Sequence, residues 1–194
     1  MAKKFLAALN DKTLFVQEWL ANPKRMGSVT PSSKKLAAAM ARWLPTDPDV
    51  FVLELGPGTG AVTQALLNRG LREDRIVAIE RNPKMASVLH RRFPRAHIII
   101  GDAWHMDTLL NDHAESIQSV GAVISSLPLL NFPPHKAESL ARKIQSVLQP
   151  DGKWVQYSYH LGNAHPHGAA HFDFLHSNIV WLNFPPARVS VYQK

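Results

Sequence analysis

The stretch FVLELGPGTGAV, residues 51–62, constrains the chain more than any other: a short apolar run, three glycines at alternate positions, then helical text. A backbone without side chains at Gly56, Gly58 and Gly60 can take left-handed conformations and turn sharply from strand to helix. The pattern then repeats. The runs VFVLEL, RIVAIE, HIIIGD and VGAVISSL alternate with amphipathic stretches, as in βαβ units around a parallel sheet.

Between these runs the helix signals are local. Asn82-Pro83 reads as a cap followed by proline in the first turn, with Met85, Val88 and Leu89 expected against the sheet. Leu140, Ile144, Val147 and Leu148 mark another helix, closed by QPDG, and KWVQYSY follows as a fifth strand. NIVWLN, FPPA and RVSVYQK then read as a hairpin of two strands about a proline turn. The expectation is an α/β chain with a seven-stranded, mostly parallel sheet whose last strand is antiparallel. Upstream, Leu6, Leu9, Val16, Trp19 and Leu20 give residues 2–21 the spacing of an amphipathic helix, ended by Asn22-Pro23. A second helix is expected from a cap at Ser32 or Ser33, carrying Leu36, Met40 and Leu44 inward and stopping at Pro45. This divides the chain into an N-terminal extension, 1–44, and a main domain, 45–194.

At 194 residues the chain can bury one sizeable core. With no cysteine, disulfides and thiolate metal sites are excluded. No apolar run approaches the roughly 20 residues of a membrane span, and Asp11, Lys12 and Glu18 break up the basic, apolar start, so it is not expected to be a cleaved signal. The net charge of +7 is concentrated early: residues 1–44 hold eight lysines and arginines against Asp11 and Glu18. A basic amphipathic extension points to an anionic partner, either nucleic acid or an acidic membrane surface.

The glycine loop fits no phosphate-binding pattern. A dinucleotide fingerprint needs its third glycine one position later, and a P-loop needs Gly-Lys followed by Ser or Thr. Carboxylates instead end the first three strands, at Glu54, Glu80 and Asp102. Open α/β sheets bind ligands at those strand ends, where Glu80 could accept both hydroxyl protons of a ribose and Asp102 could meet an adenine amino group. Each could also be an ordinary exposed strand-end acid. G-x-G-x-G preceded by an acid resembles motif I of the class I S-adenosylmethionine (SAM) methyltransferases. That resemblance implies a Rossmann-like fold, SAM as cofactor with S-adenosylhomocysteine as product, and cofactor contacts from Glu54, Gly56, Gly58, Gly60, Glu80, Arg81, Asp102, Ala103 and Ser125.

The related adenine N6 and rRNA dimethyltransferases end their fourth strand in a polar-Pro-Pro-aromatic tetrad that stacks on the target base. Here the position reads Ser125-Ser126-Leu127-Pro128-Leu129-Leu130, without the aromatic platform. SSLPLLNFP, LELGPGTGAVTQALL, ERNP, GDAWHM and VWLNFPPARVSVYQ together resemble the soluble bacterial phospholipid N-methyltransferases, which methylate phosphatidylethanolamine stepwise towards phosphatidylcholine. The resemblance runs from about Trp19 to the C-terminus and includes KRMGSVTPSSKKLA, where the family places a loop over SAM and which brings Thr30 to the cofactor. It implies a phospholipid substrate and a monomer held on the inner face of the cytoplasmic membrane by its basic N-terminal helix, with no nucleic-acid partner. The text ends at its last strand, so no appended RNA-binding helical domain is expected.

For the acceptor side, Tyr157, Tyr159 and His160 at the end of the fifth strand, with Ser125 and Asn131 around the Leu-Pro-Leu-Leu turn, are the candidate catalytic residues. Aromatic faces can hold an increasingly methylated ammonium. Trp104 either covers adenine or belongs to the core. His160, His165, His167, His171 and His176 are expected in a mobile lid that meets lipid phosphate, not in a metal site. An RNA adenine N6-dimethyltransferase and a catalytically silent SAM- or lipid-binding module stand as alternatives that activity would separate.

Overall fold

The computed structural model describes residues 33–113, 117, 119–162 and 164–194. The expected helix over 2–21, Thr30 and the alternative cap at Ser32 lie outside the described residues.

Helix α1 (Lys34–Ala41) starts at Ser33, whose hydroxyl accepts from the Leu36 amide at 3.2 Å, and it buries Leu36, Ala37, Met40 and Ala41. It stops at Ala41, short of the predicted Pro45, and Leu44 is only half-buried. Then β1 (Phe51–Leu55), α2 (Ala61–Asn68), β2 (Ile76–Glu80), α3 (Pro83–Arg92), β3 (His97–Ile100), α4 (Met106–Asn111), β4 (Val120–Ser125), α5 (Pro134–Val147) and β5 (Leu148–Ser158) alternate along the chain. The chain closes with β6 (Asp173–Val180) and β7 (Ala187–Gln193). The seven strands form one sheet in the order β3-β2-β1-β4-β5-β7-β6. Strands β1 to β5 pair in parallel, and β7 runs antiparallel between β5 and β6, as expected for the last strand.

Apolar side chains fill both faces of the sheet. Val52, Ala78, Ile98 and Ile124 pack with α1, α2 and α3 on one side, while Leu53, Val77, Ile99 and Val123 pack with α4 and α5 on the other. That two-sided burial is why the central strands read as continuous apolar runs instead of alternating ones.

Three local expectations are corrected. Asn82 caps α3 as read, accepting from Lys84 and Met85 amides, but its buried residues are Ala86 and Leu89, with Met85 and Val88 half-buried. QPDG does not separate helix from strand: Val120 opposes Leu148 while Ala122 opposes Lys153, so Gln149–Gly152 are absorbed as an irregularity within β5, with Asp151 at φ 61°. Strand β6 begins at Asp173, inside the predicted histidine loop, and ends at Val180, leaving Trp181, Leu182 and Asn183 in the turn. The register with β7 decides this, Val180 opposing Ala187.

Candidate active site

The strand order sets the carboxyl ends of β3, β2, β1, β4 and β5 side by side, so Asp102, Glu80, Glu54, Ser125 and Tyr157 follow one another along a single edge. Ligands bind at this edge in open α/β sheets because the diverging loops leave a crevice there. The Gly56 N–H donates to the Ile79 carbonyl at 3.0 Å and fastens the glycine loop to β2. Gly56, Gly58 and Gly60 all have positive φ, at 70°, 56° and 79°. Their reasons differ. A Cβ on Gly60 would lie 2.6 Å from the Phe93 ring and 2.8 Å from Leu89, so this glycine lets α2 approach α3. Around Gly58 no atom lies within 4 Å of such a Cβ, and the loop presents bare backbone to open space.

Glu80 ties this loop to the end of β2. Its Oε2 accepts from the Gly58 N–H at 3.0 Å and its Oε1 from the Asn82 N–H at 2.8 Å. Glu54, one strand over, is completely buried. The Thr63 hydroxyl donates to its Oε2 at 2.6 Å, whereas its Oε1 is buried with no partner. Burial pushes this carboxyl up to about 7, with the Thr63 hydrogen bonds opposing and the Glu80 charge assisting. Asp102 Oδ1 accepts from the Trp104 amide at 3.1 Å and opens a short turn that buries Ala103. Trp104 donates its indole N–H to the Lys136 carbonyl at 3.1 Å and stands edge-on to Phe132. Arg81 is exposed.

Beside this row, the turn after β4 and the ends of β5 and β7 line a narrow cleft with about 30 Å³ of free volume. It brings together the predicted Asn131, Tyr157, Tyr159 and His160. The Tyr157 and Tyr159 rings meet edge to face at 5.5 Å, and burial raises the Tyr159 phenol above its ordinary range against hydrogen bonds to Tyr157 and Asn183. Ser125 is fully buried, its hydroxyl accepting from the Leu127 amide at 3.3 Å, and so shapes the turn from beneath.

Two cleft residues escaped the sequence reading. The Gln156 amide donates to the Leu127 and Tyr157 carbonyls at 2.8 and 2.7 Å, while its buried Oε1 has no partner. Arg188, opposite Ser158 in the β5–β7 pairing, donates to Ser177 Oγ at 2.6 Å and the Leu161 carbonyl at 2.5 Å, and its buried Nε has no partner. Among the described residues no carboxylate pairs with it. Their sequence signals were a lone amide in an apolar strand and a lone guanidinium among valines.

The histidines disperse to separate neighbours. His165 Nδ1 lies 2.8 Å from the Tyr192 hydroxyl, which burial pushes up to about 12. His171 lies 3.6 Å from Glu138, and His176 stacks obliquely on Trp43. His167 is exposed, and no group of three possible metal ligands forms among the described residues. Nor is any described helix long and apolar enough to cross a membrane.

Comparison with known proteins agrees with this geometry. A methyltransferase domain model matches residues 52–152. The ornithine lipid N-methyltransferase of Singulisphaera acidiphila is 30% identical over 151 residues, covering 76% of this chain and 78% of that protein. The ribosomal RNA small subunit methyltransferase A of Synechococcus sp. (strain JA-3-3Ab) is 36% identical over 91 residues, but these are 45% of this chain and 29% of that protein. TrmN from Thermus thermophilus shares the fold at a TM-score of 0.65 and 19% identity over 90% of this chain, which spans 52% of that structure.

Proposed function

The chain belongs to the methyltransferase domain family, and from that premise we propose that it methylates the primary amine of a membrane lipid headgroup, converting phosphatidylethanolamine stepwise towards phosphatidylcholine. It is a SAM-dependent methyltransferase; the lipid acceptor is the proposal. Supporting it is the cleft beside the glycine loop. Leu127, Pro128, Leu129 and Leu130 stand where a nucleobase would need an aromatic platform, and Gln156 Oε1 and Arg188 Nε are each buried without a partner. A zwitterionic headgroup offers a donor to the first and an anion to the second. The relative from Singulisphaera acidiphila is likewise named as a lipid N-methyltransferase.

The strand-end row suits SAM. Residues 51–62 carry no cation for a phosphate, Gly58 offers open backbone, and Glu80 presents a carboxylate suited to ribose hydroxyls. The orphaned Glu54 Oε1 provides a buried acceptor on the adjacent strand for a positively charged group. When bound, SAM supplies an electrophilic methyl on a sulfonium. The chain itself aligns the amine and excludes water. In the cleft, desolvation favours the neutral amine that can attack. The raised Tyr159 phenol stays protonated near neutral pH, so it serves as hydrogen-bond donor and ring face, not as base. His160, exposed at the cleft mouth, is the residue placed to pass the amine's proton to solvent. With a lipid acceptor the protein works as a monomer at the inner face of the cytoplasmic membrane, its basic residues 2–21 on anionic lipid and Thr30 over the cofactor.

The test is transfer of labelled methyl from SAM to phosphatidylethanolamine, ornithine lipid and small-subunit rRNA in parallel. Label in mono-, di- and trimethylated phosphatidylethanolamine is expected. Label in ornithine lipid alone would keep the lipid amine and change the headgroup. Label in RNA alone, or in none of the three, would overturn the proposal.

A further inference from the structure

Among the described residues, the most exposed of the large apolar side chains gather where the chain reverses between β6 and β7. Trp181 is 61% exposed, Leu182 72% and Phe184 79%, whereas Asn183 between them is buried at 4%. Monomeric surfaces scatter single apolar residues, but a cluster of this kind marks a contact site. The turn is also anchored. The Asn183 side chain donates to the Pro185 carbonyl at 2.6 Å and accepts from the Ser33 amide at 3.2 Å, and the Asn183 amide donates to the Val180 carbonyl at 3.2 Å. A buried asparagine thus holds the backbone while Trp181 and Leu182 point outward.

Position gives the cluster its meaning. Strand β6 is antiparallel to β7, which is antiparallel to β5, so β6 ends at the same sheet edge as the glycine loop and the acceptor cleft. Arg188, one residue beyond the Val180–Ala187 pair, lines that cleft. The Ser33 contact also brings the junction with residues 1–32 to the same turn, and residues 2–21 have the sequence of a basic amphipathic helix. Tryptophan and leucine at such a tip favour the boundary between headgroups and acyl chains.

We infer that the β6–β7 turn inserts Trp181 and Leu182 into the lipid interface and seats the acceptor cleft against the bilayer, so that a headgroup enters without its lipid leaving the membrane. This rests on the lipid reading of the acceptor, but its test reads insertion and not turnover. The chain has no cysteine, so Leu182→Cys provides a single labelling site for a polarity-sensitive fluorophore in the full-length protein. Asn111→Cys, exposed at the end of α4 before the start of β4, is the control.

With vesicles of phosphatidylethanolamine and an anionic phospholipid, the label at 182 is expected to shift to the blue and to be quenched by acyl-chain quenchers, while that at 111 keeps its emission in buffer. The double variant W181S/L182S is expected to bind the vesicles about tenfold or more weakly, from the lost apolar burial, with unchanged SAM affinity. A label at 182 that stays in its aqueous state while the protein sediments with vesicles would overturn the inference. So would a blue shift that follows protein concentration without vesicles, since a second copy would then cover the turn. Insertion without methylation of any lipid would overturn the proposed function, and with it the entry of a headgroup, while leaving the turn in the bilayer; methylation without insertion would overturn this inference alone.

Discussion

Glu54 shows how the burial of a single carboxyl makes stability depend on pH. Its carboxyl stands near 7 in the fold, above the 4.5 of an exposed glutamate, because burial disfavours its charged form. The folded chain therefore keeps a proton that the unfolded chain gives up, and the stability from this group is fully present below the unfolded value and lost as pH rises through the folded one. The loss amounts to about 3 kcal/mol at most. Glu54→Gln should flatten that dependence: thermal melts of variant and parent should coincide near pH 4, and the variant should melt higher above pH 7, while calorimetry finds weaker SAM binding. At Arg188 the expectation concerns the acceptor. Arg188→Gln should raise KM for vesicle lipid by roughly ten- to a hundredfold, the scale of a lost charge-assisted hydrogen bond, and leave SAM affinity unchanged; steady-state kinetics and a binding isotherm separate the two. Glu54, Glu80 and Asp102 were legible in the sequence because a strand end fixes where its last side chain can go. Gln156 and Arg188 were not, since nothing local says which face of β5 or β7 lines a cleft.

At the scale of the element, the three glycines read alike in the sequence and act differently in the fold. Gly60→Ala forces a Cβ to 2.6 Å from the Phe93 ring at φ 79°, combining overpacking with left-handed strain for about 2–4 kcal/mol, and should lower the melting temperature sharply. Gly58→Ala meets no atom within 4 Å and should cost about 1–2 kcal/mol of strain, its larger effect appearing in SAM binding by calorimetry. Boundaries were the weakest part of the sequence reading. QPDG carries every mark of a loop, yet β4 and β7 pair on both sides of β5 and draw the chain into the sheet; strand β6 likewise starts early because β7 offers Gln193 and Tyr192 as partners for Asp173 and Phe174.

For the whole molecule, the positive charge is concentrated in residues 1–44, and the proposed function assigns attachment to that segment and catalysis to the rest. Removing residues 1–20 should lower cosedimentation with anionic vesicles, and raising the salt concentration should weaken the parent's binding as screening grows; SAM binding should stay unchanged in both cases. The sequence by itself determined the α/β alternation, the antiparallel last strand and the row of three acids, because strand period, glycine turns and strand-end positions are set by neighbours in the chain. Only the tertiary structure decided that β7 lies between β5 and β6. That placement brings Arg188 and Gln156 to the cleft holding Tyr157 and Tyr159, and turns Trp181 and Leu182 out at the same edge. Pairing between distant strands is settled by which faces can be buried together, and no local run of residues records that choice.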